Sequence, residues 1–210
     1  MKTPEHPIFH ESIKYIRSHL GFTGLDQVQQ TILERIIHSS GDFSLQSWLR
    51  FSPSACENAI TALQMGAKII TDTYMAEAAI SPMAKRTINS DIQCILEKAP
   101  TSIDSNLNTR SEIGMRNIWL DFEEKDNNLY SPIVVIGSAP TALLSLLDLV
   151  ESGYSTPSLI IGMPVGFIGV AESKYRLMNS DCPYIVLEGS KGGASIAAAA
   201  ANALLRASET

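Results

Sequence analysis

The chain has 210 residues, 45% of them apolar and 18% charged, and a formal net charge of −6. This length suffices for one well-buried α/β domain and is short for two, so we expect a single domain over residues 1–210. The negative charge argues against a nucleic-acid partner, and the apolar runs are too short to cross a membrane. Because the N-terminal segment has no apolar signal core, we expect a cytoplasmic protein.

The first half of the chain alternates between helical and extended patterns. Apolar residues recur with the helical period in segments that stop at glycines such as Gly21 and Gly41. Ser52 and Pro53 predict the N-cap and the first position of a third helix. In chain order we predict helices over 8–20 and 26–37, an extended segment over 46–51, a helix over 52–66, a strand over 68–71, a helix over 74–80, a strand over 91–96 and a helix over 109–122.

The second half has a regular alternation of short apolar strands and helices. Parallel strands need crossover connections, and helices usually supply them. We therefore predict a three-layer α/β/α domain, doubly wound and mostly parallel, of the flavodoxin-like class, with the N-terminal helices packed on it. The predicted elements are strands over 133–136, 159–161 and 184–187 and helices over 141–151, 170–178 and 194–206.

Polar and glycine-rich segments follow four of the predicted strands. Ligands of doubly wound sheets bind beyond the carboxyl ends of the strands, where these segments meet. Gly and Pro are also ordinary turn residues, but four such loops at one edge favour a rim wide enough for a large flat ligand. The predicted ligand contacts in these loops are Thr73, Ser138, Thr141, Gly162, Pro164, Gly166, Lys191 and Gly192.

His38 is the candidate for proton chemistry. It follows Arg35 by three residues, so both side chains project from one face of the second helix. An imidazole titrates near neutral pH and can give or take a proton without a metal. The alternative is a histidine that caps the C-terminus of the helix, where the helix dipole stabilises a cation. The local pattern taken alone favours this capping role.

Two further cations are candidates for binding an anionic ligand. Arg110 opens a predicted helix, where the dipole disfavours a cation unless a ligand such as a carboxylate requires it. The alternative is a surface arginine paired with Glu112 or Asp104. Lys191 lies beside glycines, before the last helix, whose N-terminus attracts anions.

Several common sites are excluded by spacing. The segment GSKGGAS lacks the Walker spacing, and VVIGSAPTA has one glycine where a dinucleotide fingerprint needs three. The histidines and acids show no metal-ligand spacing, so we predict no metal site. Cys56, Cys94 and Cys182 include no C-x-x-C pair, and we expect them to be small buried side chains.

A family resemblance covers nearly the whole chain. Residues 162–174, GMPVGFIGVAESK, closely resemble the GMPVGFVGAAESK block of the precorrin-8 methylmutases, which act in corrin ring assembly in cobalamin biosynthesis. Other segments match that family in order and spacing: Ser12 in the first helix, RIIHSSGDF with Arg35 and His38, RFSPSA, DTYMAEAAI, NTRSEIG around Arg110, GSAPTAL and GSKGGASIAAAAANAL.

The resemblance implies an isomerase that moves a methyl group from carbon 11 to carbon 12 of a tetrapyrrole, giving hydrogenobyrinic acid or its cobalt counterpart. By that resemblance His38 matches the histidine proposed as proton donor and acceptor, and Ser12, Arg35 and Arg110 match positions that hold the macrocycle. It also implies a homodimer, and the methyl shift requires no cofactor. A non-catalytic tetrapyrrole carrier is the alternative, since it would keep the loops and the arginines without using the histidine.

Overall fold

The computed structural model describes residues 6–102, 108–125 and 130–209. The strands are β1 (Leu49–Phe51), β2 (Ile69–Thr71), β3 (Ile92–Cys94), β4 (Ile133–Ile136), β5 (Leu159–Gly162) and β6 (Tyr184–Leu187). The helices are α1 (Pro7–Leu20), α2 (Gln27–Ser40), α3 (Ala55–Gln64), α4 (Tyr74–Arg86), α5 (Arg110–Lys125), α6 (Pro140–Glu151), α7 (Val170–Met178) and α8 (Ala194–Ala207). Within these ranges no helix combines the length and apolarity needed to cross a bilayer.

The strands form one mixed sheet in the order β1-β6-β5-β4-β2-β3. All neighbours are parallel except β1, which pairs antiparallel with β6. The five parallel strands follow the flavodoxin-like order, and the direction of winding reverses between β2 and β4. The predicted fold class is therefore confirmed, and the crevice between the ends of β2 and β4 is the place where such folds bind ligands.

Helices cover both faces of the sheet, which explains the uninterrupted apolar character of its strands. Alternate residues of β4 enter different cores: Ile133 and Val135 pack with α1 to α4 and α8, whereas Val134 and Ile136 pack with α5, α6 and α7. Both cores are fully buried at these positions. The three-layer prediction is confirmed by this arrangement.

The N-terminal helix pair forms an outer part of the first helical layer. Asp26 caps α2 in a reciprocal box with Gln29, and Gly41, with φ of 68°, ends the helix. Helix α2 packs on α8, and α1 packs on α2. The buried alanines of α8 let α2 and α4 approach it closely.

The predicted N-cap of the third helix is wrong. Ser52 continues the β1–β6 pairing: its backbone N–H donates to the Tyr184 carbonyl at 3.0 Å, and its hydroxyl accepts from the Tyr184 N–H at 2.8 Å. Pro53 is accordingly not helical, and α3 begins after Ser54, which has a φ of 55°. A serine before a proline resembles a helix start in sequence, but here its backbone N–H and its hydroxyl bond to Tyr184 of β6.

Other boundaries also differ from prediction, and α2 and α5 each extend three residues further, to Ser40 and Lys125. Helix α4 passes through Pro82 to Arg86, because Met83 and Ala84 are buried in the core and hold the last turn in place. The strand predicted over 91–96 ends at Cys94 and turns into a 3₁₀ segment, Ile95–Glu97. The segment predicted to be extended over 46–51 begins instead within a 3₁₀ turn, Phe43–Ser47, and only Leu49–Phe51 is strand.

Candidate functional site

The loops after β2 and β4 are joined by a buried carboxylate. Oδ2 of Asp72 accepts from the backbone N–H groups of Gly137, Ser138 and Ala139, at 3.1, 2.6 and 2.8 Å. Burial raises the pKa of Asp72, and the three N–H donors oppose that shift. The N-terminal end of α6, which could otherwise receive an anion, is therefore occupied by the protein's own side chain.

The helices α5 and α6 meet at the same edge of the sheet. The hydroxyls of Thr109 and Thr141 are 2.7 Å apart, which brings the start of α5 beside the start of α6. Arg110 follows directly; it is exposed, and its Nε donates to the Pro100 carbonyl at 3.0 Å. Asp104, one of its two predicted acidic partners, lies outside the described residues.

Thr73 and Ser138 occupy the crevice side of these loops in different ways. The Thr73 hydroxyl caps α4 by accepting from the Ala76 N–H at 3.3 Å, and it donates to Asp72. Ser138 is exposed at the start of the loop that leads to α6. The predicted residues Thr73, Ser138 and Thr141 are thus brought to one edge of the sheet.

The loops after β5 and β6 brace one another. The Gly166 N–H donates to the Ser190 carbonyl, and the Gly193 N–H donates to the Met163 carbonyl, at 3.1 and 2.9 Å. A Cβ at Gly192 would clash with the carbonyls of Met163 and Pro164, so a glycine is required there. The glycines of this region permit loop-to-loop contact.

Gly162 and Pro164 are both buried, which differs from their predicted place on an open loop. Gly162 is the last residue of β5, and its register partners are Ile136 and Val186. A Cβ there would lie 2.6 Å from a methyl carbon of Leu177, so the missing side chain makes room for α7. The sequence pattern placed the loop one residue too early.

Lys191 joins the loop after β6 to the end of α2. Its Nζ donates to Asp42 Oδ2 at 2.5 Å and to the Ser44 hydroxyl at 2.9 Å. The hydrogen bond from Lys191 lowers the pKa of Asp42 to about 2. Arg50, another cation near this edge, pairs with Glu188, with 3.0 Å between Nε and Oε1.

Three side chains of α1 and α2 surround His38, the predicted proton carrier: Phe9, Ser12 and Arg35. The four residues together are here called the histidine cluster. Nδ1 of His38 lies 2.7 Å from the Ser12 hydroxyl oxygen. The Phe9 ring meets the imidazole edge-on, with 5.0 Å between the two ring centroids. The Arg35 guanidinium lies over the Phe9 ring, 4.6 Å from its centroid. The structure therefore brings together three of the residues singled out in the sequence.

His38 lies in the last turn of α2, as the capping alternative expects, but its ring bonds to α1 and not to the end of its own helix. The Gly41 N–H closes the helix on the Ile37 carbonyl at 2.8 Å, and the His38 ring turns to α1 through Ser12. The side chain is exposed, so its Nε2 can reach a ligand. His38 is thus positioned by a specific partner while one ring nitrogen remains available for chemistry.

A cleft of about 260 Å³ opens beside the histidine cluster. Side chains of α8 and α4, several of them alanines, line it opposite the imidazole's own helix. Because Ser195 at the start of α8 lines it, the cleft begins at the carboxyl edge of the sheet. Its lining residues are Arg35, His38, Ser39, Ala79, Met83, Ser195, Ala198, Ala199 and Asn202.

Sequence reasoning missed a buried cation. Lys174 is 1% exposed, and its Nζ donates to the carbonyls of Gly189 and Lys191, at 2.9 and 2.7 Å. Burial lowers the pKa of Lys174 to about 8. A signal existed in the sequence: Lys174 shares the core-facing spacing of α7 with Val170 and Leu177.

Large apolar side chains are exposed at the carboxyl edge. Phe167 and Ile168, between β5 and α7, are 92% and 89% exposed, and Met75 at the start of α4 is 70% exposed. Phe167 and Ile168 are adjacent in the chain, and two such exposed apolar side chains together indicate an interaction surface.

The three cysteines are free and buried, as predicted. Burial raises the pKa of each thiol, to about 12 for Cys56. In the part of the chain that the structure describes, no three metal-binding side chains of His, Cys, Asp or Glu come together.

Known proteins resemble this chain over nearly its whole length. Residues 7–207 match the family described as precorrin-8X methylmutase. The cobalt-precorrin-8 methylmutase of a Synechocystis species is 38% identical, covering 96% of this chain and 95% of that protein, and the precorrin-8X methylmutase of Pseudomonas aeruginosa is 36% identical, covering 94% and 93%. A crystal structure of the precorrin-8x methyl mutase from Thermus thermophilus superposes with a TM-score of 0.83 at 32% identity, covering 97% of this chain and 98% of that one.

Proposed function

We propose, since the chain belongs to the precorrin-8X methylmutase family and is an isomerase, that it moves a methyl group from carbon 11 to carbon 12 of precorrin-8X or cobalt-precorrin-8. The product is hydrogenobyrinic acid or cobyrinic acid. The observation that carries this proposal is the pairing of His38 with Ser12 beside an open cleft, in a chain that matches the family throughout. A methyl shift between neighbouring ring carbons conserves all atoms of the substrate, so it needs neither a methyl donor nor a redox partner.

His38 is the proposed proton donor and acceptor. A hydroxyl can both donate and accept, so Ser12 can serve Nδ1 of the imidazole in its neutral and in its protonated state. Nε2 is then the atom that exchanges a proton with the conjugated ring before and after migration. The Phe9 edge contact limits rotation of the imidazole, which keeps Nε2 directed consistently.

Cations offset the negative charge of the chain where the acidic arms of the substrate bind. Arg35 lines the cleft beside His38, and Arg110 is exposed on the other flank of the sheet edge. Each guanidinium can bind a carboxylate through two parallel hydrogen bonds. Lys191 is already paired with Asp42, which offsets its charge, so an acidic arm would have to compete with Asp42 to bind it.

The rim loops supply the proposed contacts with the ring. These loops are residues 72–73, 137–141, 163–169 and 188–193. The proposed contacts in them are Thr73, Ser138, Thr141, Gly166 and Gly192, whereas the buried Gly162 and Pro164 are proposed to shape the loop after β5. We propose that residues 1–210 fold as one methylmutase domain, since both cores share the same sheet. Its buried free thiols fit a reducing, cytoplasmic location.

The cleft in one chain is small for a macrocycle. Its volume of about 260 Å³ lies below the range of about 300 to 1,000 Å³ that is usual for pockets of drug-sized ligands. The exposed Phe167 and Ile168 stand at the same edge of the sheet. A homodimer in which the second subunit covers this edge accounts for both features.

The oligomeric state can be measured directly. Sedimentation should give about twice the chain mass of 22.8 kDa, and a fully active monomer would exclude the shared pocket.

The decisive experiment follows substrate conversion by ultraviolet-visible spectroscopy. Purified protein is incubated separately with precorrin-8X and with cobalt-precorrin-8, and the faster conversion identifies the natural substrate. His38→Ala should lower turnover by roughly a hundredfold or more while leaving product affinity near that of the wild type. His19→Ala, a change of another exposed histidine, is the control. A wild-type protein that binds product and converts neither substrate would instead be a tetrapyrrole carrier.

A further inference from the structure

Lys174 is a buried cation without an acidic partner. Its ammonium donates to two backbone carbonyls of the loop 188–193, and within the described residues no carboxylate lies at ion-pair distance from it. Burying a charge without a counter-ion is costly, and a methionine of similar length would fill the same space without that cost. The lysine therefore supplies the hydrogen-bond donors for these two carbonyls, which an apolar side chain cannot do.

The loop that Lys174 holds has two connections to the histidine cluster. One runs through the Lys191 side chain to Asp42 and Ser44, just beyond the end of α2 that carries His38. The other runs along the chain into α8, where Ser195 lines the cleft beside the imidazole. Both connections depend on the path of the loop, and the carbonyls of Gly189 and Lys191 are fixed by the same ammonium.

We propose that Lys174 is a positioning residue for His38. By its hydrogen bonds to the loop 188–193 it fixes the positions of the end of α2 and the start of α8, and thus the geometry of the cleft beside His38. This inference rests on the proposed methylmutase function for its kinetic consequence. The displacement of His38 that it predicts can be measured without any substrate.

The test compares Lys174→Met with Arg176→Met. Arg176 is a cation two residues later on α7, and it pairs with Asp148 and Glu151 on α6, on the side opposite the histidine cluster. Lys174→Met should lower kcat by about tenfold and shift the imidazole proton resonances of His38, whereas Arg176→Met should change neither. Lys174→Gln keeps a donor without the charge and replaces the methionine variant if that one does not fold.

A double-mutant cycle with Lys191→Met separates positioning from general stability. If both lysines act along one connection, the double variant should be little slower than Lys174→Met alone, because the second change breaks a link already lost. A Lys174 variant that folds with wild-type kcat and unchanged His38 resonances would overturn the proposal, as would fully additive effects. Absence of turnover in the wild type would count against the methylmutase function, while the resonances would still decide the positioning of His38.

Discussion

The rim loops and the histidine cluster use their polar groups in opposite ways. In the rim loops the groups suited to an anionic ligand already have internal partners: Asp72 fills the N-terminal end of α6, and Lys191 pairs with Asp42. In the histidine cluster the Ser12 contact leaves Nε2 of His38 exposed beside a cleft. Glycine-rich loops at a sheet edge therefore indicate tight loop packing first, and the proposed proton carrier, His38, lies on a helix outside the sheet.

The most damaging single change should be Asp72→Ala. It removes the acceptor of three backbone N–H groups, and an unsatisfied buried donor costs about 1 to 3 kcal/mol. The free energy of unfolding should fall by about 3 kcal/mol or more in urea denaturation. Asp148→Ala, which removes an exposed partner of Arg176, should cost less than about 1 kcal/mol. Equal losses of unfolding free energy for the two variants would show that the buried hydrogen bonds of Asp72 do not stabilise the rim loops more than an exposed ion pair does.

The buried Lys174 should make stability depend on alkaline pH. Its folded-state pKa of about 8 lies below the ordinary value of 10.5, so the native state binds fewer protons between those two pH values and stability rises with pH there. The three buried thiols oppose this trend in wild type and variant alike, because burial raises their pKa values.

The quantity to measure is the unfolding free energy of the wild type minus that of Lys174→Met. This difference should increase by about 3 kcal/mol from pH 8 to pH 10.5. A difference that stays flat over this range would mean that burial does not lower the pKa of Lys174 in the folded protein.

Arg110→Lys tests whether the α5 flank binds a carboxylate. An ammonium cannot reproduce the two parallel hydrogen bonds of a guanidinium, so product affinity should fall by about 1 to 3 kcal/mol. Arg116→Lys, on an exposed position of the same helix, should leave affinity unchanged. Equal affinities for all three proteins in a spectroscopic titration would show Arg110 to be a surface residue.

Ser12→Ala should have the smallest effect of the four. The imidazole of His38 loses one hydrogen bond, and a bond of about 1 to 1.5 kcal/mol corresponds to roughly a tenfold loss of kcat. Ser18→Ala, which removes a hydroxyl from the same helix at an exposed position, is the matched control. If Ser12→Ala keeps wild-type kcat, the hydroxyl does not orient the histidine.

The order and type of the elements were predictable because the strands of a doubly wound sheet are short apolar runs between amphipathic helices. The errors occurred where a tertiary contact replaced a local rule. Ser52 has the pattern of an N-cap, but its hydroxyl is used by Tyr184, which lies 132 residues away in sequence. Pro82 has the pattern of a helix end, but burial of Met83 outweighs the lost hydrogen bond.

The site was only partly predictable for a similar reason. His38 and Ser12 could be singled out, but their 2.7 Å contact joins two helices whose packing no local pattern specifies. Lys174 stayed hidden because a lysine at a core-facing position looks like an exception to the apolar pattern until its two carbonyl partners are seen. Spacing can propose which groups carry chemistry, whereas their partners come from the tertiary fold.

Both outer strands of the sheet, β1 and β3, are three residues long. A strand this short exposes few unpaired backbone groups, so it is a poor template for the addition of another strand. Arg50 on β1 adds a charge to one of the two margins. Copies of this chain are thereby discouraged from extending the sheet into an aggregate. The proposed homodimer would therefore be held by helices and loops.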